Sequence, residues 1–256
     1  MKDILQKCTI EDFEYISEVL ENYASITNDS KRKQLLAELH SDPSKKEELV
    51  ALIDEQIRYF GSSDAAYFGR KLLGKDGGIS AAELVSDVCE KSKVKVKLGG
   101  SLEARLEQLV NAVVEKELKS KSPEELVKAF KAMPEITEKE RNLLLEHIKT
   151  NGEVLIIPIL VELLGPKLAL GIIEAITVTI ISKFVGQQAA KLLVKEAIKR
   201  NPWLNALGPV MWAVSATWLA FDVQGPAFRK TIPICLYLGM VGLRDGQEVI
   251  APPEVA

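Results

Sequence analysis

Charge is spread along this 256-residue chain in two unequal parts, and that asymmetry limits what it can fold into. Residues 1–150 hold 24 Lys or Arg and 28 Asp or Glu, whereas residues 151–256 hold only 9 and 8. The first part can clothe itself in a solvated surface. The second carries too few charges to do so, and must hide its surface in protein, in a partner or in lipid. The extreme case is the charge-free run from Asn201 to Phe221, which contains GPVMWAVSATWLAF at 208–221.

Nearly every segment has the period of a helix. Thr9-Ile-Glu-Asp12 pairs a hydroxyl cap with an acid three residues on, and Phe13, Ile16, Val19, Leu20 and Tyr23 follow at helical spacing. Asn28-Asp29-Ser30 opens a second helix. Pro43 stands where a first-turn proline belongs, and Gly61 closes the helix that follows. Ser62-Ser63-Asp64 can cap a further helix toward Leu73. Ser80-x-x-Glu83, Ser122-x-x-Glu125 and Thr137-x-x-Glu140 are three more capping boxes, each followed by apolar residues at three and four spacing. Side-chain oxygens at these places satisfy the unpaired N–H groups of a first turn, so they mark helix starts physically.

KVKVKL at 93–98 breaks the pattern with a strict two-residue alternation. With no evident partner strand, it reads first as a basic helix end or an isolated short ladder. The functional reading is a lysine comb facing an acidic partner or anionic lipid.

Catalytic chemistry is hard to find. Gly69-x4-Gly74-Lys75 has phosphate-loop spacing, but Asp76 replaces the hydroxyl that would hold a metal, and a helix ending in a glycine-rich turn explains the glycines. His40 and His147 stand alone at helix ends. No His, Cys or carboxylate cluster has ligand spacing, so no metal or cofactor is expected. Glu103/Glu107 and Glu115/Glu117 read as solvated helix faces. Cys8, Cys89 and Cys235 are far apart and odd in number, which suggests a reducing compartment, and the N-terminus shows no signal-peptide pattern. A net charge of −3 argues against nucleic acid as a ligand.

A membrane-spanning helix needs about 20 apolar residues. Residues 168–182 are interrupted by Glu174, 201–221 by Pro202, Asn205 and Pro209, and 231–243 are too short. These lengths suit buried core helices. The other reading is a hydrophobic hairpin over 203–243, with Trp203, Trp212, Trp218, Arg229 and Lys230 at the lipid interface.

Several stretches in order are familiar: Asp3-Ile-Leu-Gln-Lys-Cys8, Phe60-Gly61 with Gly69-Arg70 downstream, Asp87-Val-Cys89, and Phe228-Arg-Lys-Thr-Ile-Pro233. Together they resemble the YaaW-like family of bacterial proteins, which is grouped with the ubiquinol–cytochrome c chaperones. The resemblance runs over almost the whole chain. The chain departs from it at Gly61-Ser62-Ser63, where the family has Gly-Gly-Asn or Gly-Gly-Asp, and at Arg70-Lys71, where it has Arg-Gly. No catalytic residues carry over. The resemblance implies a bacterial helical protein with an assembly or chaperone-like role.

The expectation is an all-α protein, with a charged helical region at 1–150 and a hydrophobic helical region at 151–256. It is expected to be non-enzymatic and cytoplasmic, to bind a protein partner, and to be compatible with oligomerisation. Phe60, Gly61, Phe68 and Arg70 are the partner-surface candidates. The alternative is a protein that inserts the 203–243 hairpin into the inner membrane on a trigger.

Overall fold

The computed structural model describes residues 1–21, 29–62, 78–97, 99–131, 133, 136–150, 156–202, 204 and 228–248. The protein is all-α. Among the described residues there are twelve helices and no strand. They are α1 (Lys2–Gln6), α2 (Ile10–Leu20), α3 (Asp29–Leu39), α4 (Lys46–Phe60), α5 (Ala81–Lys91), α6 (Leu102–Lys119), α7 (Pro123–Lys131), α8 (Glu138–Thr150), α9 (Ile156–Leu164), α10 (Pro166–Ile181), α11 (Gln187–Arg200) and α12 (Phe228–Glu248).

The starts follow the capping chemistry. In α2 the Thr9 hydroxyl accepts from the Asp12 N–H, while Asp12 Oδ2 accepts from the Thr9 N–H at 2.8 Å. The same exchange opens α7 through Ser122 and Glu125, and α8 through Thr137 and Glu140. Ser80 caps α5, and Ser101, a cap not picked out in the sequence, caps α6. A short 3-10 turn at Pro43–Lys45, capped by Asp42, leads into α4.

The core is organised around α12. Every residue from Thr231 to Gly242 is buried, so this helix is covered on all faces. It lies along α6 and also touches α1, α2, α4, α5 and α10. The approach to α6 is close because Gly239 has no side chain. A Cβ there would run into the Leu106 carbonyl oxygen and lie 2.6 Å from Val110 Cγ2. Helices from both sides of residue 150 contribute to one hydrophobic cluster. No helix among the described residues is long and apolar enough to cross a membrane.

Candidate functional site

Four of the residues singled out in the sequence fall within the described structure. Phe60 is buried at the end of α4. Gly61 follows it with an ordinary negative φ of −74°, so no left-handed turn requires it. What matters is the missing Cβ, which would collide with the side chains of Leu84 and Ile79. Arg229 is exposed and Lys230 is half-buried. Phe68, Arg70, Trp203, Trp212 and Trp218 lie outside the described residues, as does the stretch GPVMWAVSATWLAF.

The fold brings Phe60 and Lys230 together. The Lys230 ammonium lies 4.5 Å from the centre of the Phe60 ring. It donates to the carbonyls of Leu20 and Glu21 at 2.8 and 2.7 Å, so it closes the C-terminal end of α2. Burial outweighs these contacts and lowers its pKa to about 8. Below about pH 8 the group is protonated in both folded and unfolded chains. Between about 8 and 10.5 the unfolded chain keeps a proton that the folded one releases, so stability rises with pH. The difference in unfolding free energy between the wild type and Lys230→Met is therefore expected to move in the wild type's favour from pH 8 to 10. Urea titrations across that range check this; a pH-independent difference would contradict it.

A second polar group sits deeper. Asp12 and Glu174 are buried at 2% and 3% exposure. Arg244 donates to Glu174 Oε1 at 3.0 Å and to Asp12 Oδ1 at 3.3 Å. Arg200 reaches the same two oxygens at 3.0 and 3.5 Å. Asn201 donates to Glu174 Oε2 at 2.8 Å, and the Tyr237 hydroxyl donates to Asp12 Oδ1. Two acids and two arginines neutralise one another and tie α2, α10, α11 and α12 together. Glu174, which argued in the sequence against a lipid-embedded segment, is one of its hubs. The cluster holds no nucleophile. The three cysteines are also poor ones: all are buried and free, and burial pushes each thiol up. Among the described residues no group of His, Cys, Asp or Glu could hold a metal ion.

The feature with binding geometry is built on KVKVKL. α5 does not continue into it, and no ladder forms. Instead Lys93 adopts a left-handed φ of 52°, with the Val94 N–H bonded to the Cys89 carbonyl and the Lys93 N–H to the Glu90 carbonyl. This is a Schellman turn, with lysine at the position that glycine usually fills. Residues 94–97 then run free of helix. Val94 and Val96 pack against the core, and Lys93, Lys95 and Lys97 are exposed. The two-residue alternation is thus carried by a single non-helical segment whose exposure alternates residue by residue.

That segment forms one wall of a groove of about 840 Å³; the other is α6 and the start of α9. Among the described residues Lys93, Lys95, Lys97, Lys116 and Lys119 line it, against the one carboxylate of Glu115. Between them are Val94, Ala112, Ile157, Pro158 and the amides of Gln108 and Asn111. Lys116 donates to the Ser92 carbonyl at 2.9 Å. Burial first, and then the like charge of Lys93, hold its pKa below the ordinary lysine value. An anion in the groove would relieve that repulsion.

Glu115 was read in the sequence as a solvated face, yet it and Glu117 are buried. Glu115 accepts from the N–H groups of Ile156 and Ile157 at 2.7 and 3.1 Å, and so caps α9 from a different helix. Nothing local in the sequence signals this, because its partners lie 41 and 42 residues on. Lys116 and Lys119 were likewise indistinguishable from other helix-face lysines. Only the Lys93–Lys97 comb was visible.

What the fold and groove define is an all-helical protein with a concentrated basic cleft. No family model matches the chain, and no solved structure matches it. It is similar to a UPF0174 protein of Helicobacter pylori strain J99, 25% identical over 196 residues that span 76% of this chain and 71% of the relative. A UPF0174 protein of strain 26695 is 23% identical over 197 residues, covering 75% and 87%. A second one from strain J99 is 22% identical over 188 residues, covering 72% and 83%. All three relatives are bacterial proteins, and the likeness extends over about three quarters of this chain.

Proposed function

We propose that this is a non-enzymatic binding protein that holds an acidic region of a partner protein in the lysine groove. The observation that carries this is the convergence of five lysines from two chain segments in a molecule whose net charge is −3. Complementary charge of this kind speeds association and selects partners more than it adds raw affinity. The YaaW-like resemblance, with its chaperone grouping, points toward the same assembly-type role. The unpaired cysteines agree with action in the bacterial cytoplasm.

Lys93 supplies a sharp test. A non-glycine residue in the left-handed region costs about 1–2 kcal/mol, so a lysine is held there against local preference. Lys93→Gly is expected to stabilise the fold by about 1 kcal/mol while weakening binding of a fluorescent polyglutamate peptide. A variant that is more stable and binds equally well would remove Lys93 from the site. Lys95→Gln/Lys97→Gln/Lys119→Gln is expected to lose roughly tenfold or more in affinity at low salt, and the wild type to lose affinity as salt rises. Binding indifferent to both would end the proposal.

A lipid-directed role has one structural requirement. α12, the described part of the 203–243 hairpin, would have to leave α6 and break the Arg244 contacts. Flotation of the full chain with anionic liposomes measures that directly, and floating protein would favour the membrane role over the groove.

A further inference from the structure

The groove carries more information than its charge. We infer that its occupant is an extended acidic peptide segment, with a carboxylate at every second residue, laid alongside Lys93–Lys97. This rests on reading the groove as the binding surface.

The first argument is register. In extended backbone, residues i and i+2 are about 6.6 Å apart and share a face. Lys93, Lys95 and Lys97 are exposed while Val94 and Val96 face the core. A second extended chain with acids at alternate positions has the same repeat, so two carboxylates can meet Lys95 and Lys97 at once, with Lys93 at the turn just before them. None of those three lysines forms an ion pair among the described residues.

The second argument is the backbone. The Val94 N–H is bonded to Cys89, and the Lys97 N–H to Gln108 Oε1 at 3.1 Å. The main-chain groups of Lys95 and Val96 bond nothing among the described residues. An extended peptide can pair with the N–H and C=O of Lys95, which share the edge that Lys97 turns toward α6, as one strand adds to another. A helical ligand has already satisfied its own backbone and cannot.

The lining also separates peptide from other anions. Among the described residues no aromatic side chain and no arginine lines the groove, so they offer no platform for stacked bases. A compact phosphate would seek convergent backbone donors at a helix N-terminus. The one such terminus here, that of α9, is already taken by Glu115. The lysines are instead strung along two walls, with Val94, Ala112, Ile157 and Pro158 between them. That pattern suits a chain in which acids alternate with small or apolar residues.

The experiment uses the full chain and two labelled nonapeptides of identical composition. One alternates Glu with Thr, and the other carries the same residues as two blocks. Inorganic phosphate, a thymidine oligonucleotide and phosphatidylglycerol vesicles are titrated in parallel. The alternating peptide is expected to bind about tenfold more tightly than the block isomer. Lys95→Gln/Lys97→Gln, both on exposed side chains, is expected to abolish that difference. Amide exchange at Lys95 in the wild type is expected to slow when the alternating peptide is bound. Equal binding of the two isomers, or unchanged exchange, would overturn the extended register while leaving an anion-binding groove. Tighter binding of oligonucleotide, phosphate or vesicles would overturn the ligand class. Failure of every probe would overturn the groove's function as well.

Discussion

Glu174→Leu is expected to destabilise the protein by about 3–5 kcal/mol, the usual cost of breaking a buried ion pair from one side. Glu174 is 3% exposed and accepts from Arg200, Arg244 and Asn201. Without it, two half-buried arginines must share the buried Asp12, which also accepts from Tyr237 and the Thr9 N–H. Arg244→Met is expected to fall in the same range, because its loss leaves one arginine to serve two buried acids. The double variant is the informative one. Its cost is expected to be at least about 1 kcal/mol smaller than the sum of the singles, since removing both partners leaves less uncompensated charge. Urea unfolding of the four proteins gives this directly. Additive effects, or single losses below about 1 kcal/mol, would mean that the cluster does not hold α10 and α12 together.

Gly239→Ala is expected to destabilise the protein by about 2 kcal/mol, although alanine is the better helix former. Two effects oppose each other. Replacing glycine by alanine within a helix is intrinsically favourable by about 1 kcal/mol. Against this, the new Cβ would overlap the Leu106 carbonyl oxygen, with Val110 Cγ2 at 2.6 Å. Because Leu106 presents backbone there, α6 itself must shift, and overpacking of this kind costs roughly 1–3 kcal/mol or more. Gly99→Ala is the control, since no atom lies within 4 Å of a Cβ there. It is expected to stay within about 0.5 kcal/mol of the wild type. A stabilised Gly239→Ala would show that α6 and α12 do not approach as closely as the structure has them.

Local chemistry explains which parts of this fold were legible. Capping boxes need only four consecutive residues, so Thr9, Ser80, Ser122 and Thr137 marked helix starts correctly. The apolar run at 231–243 was short for a membrane, and most of it is core helix. Asp12 was legible only in part. Its role as a cap lies within one turn, whereas its bonds to Arg200, Tyr237 and Arg244 span 188, 225 and 232 residues. Those depend on how helices cross, which periodicity does not encode. The groove divides the same way. Alternating lysines revealed an extended wall, but α6 lysines facing it look like any solvated helix face until the helices pack.

The most direct test of the account is lysine footprinting by acetylation and mass spectrometry, with and without saturating alternating Glu–Thr peptide. Protection is expected at Lys93, Lys95, Lys97 and Lys119, while Lys31, Lys33 and Lys199, exposed elsewhere, stay as reactive as before. Protection spread evenly over the surface lysines, or absent from the groove, would contradict it.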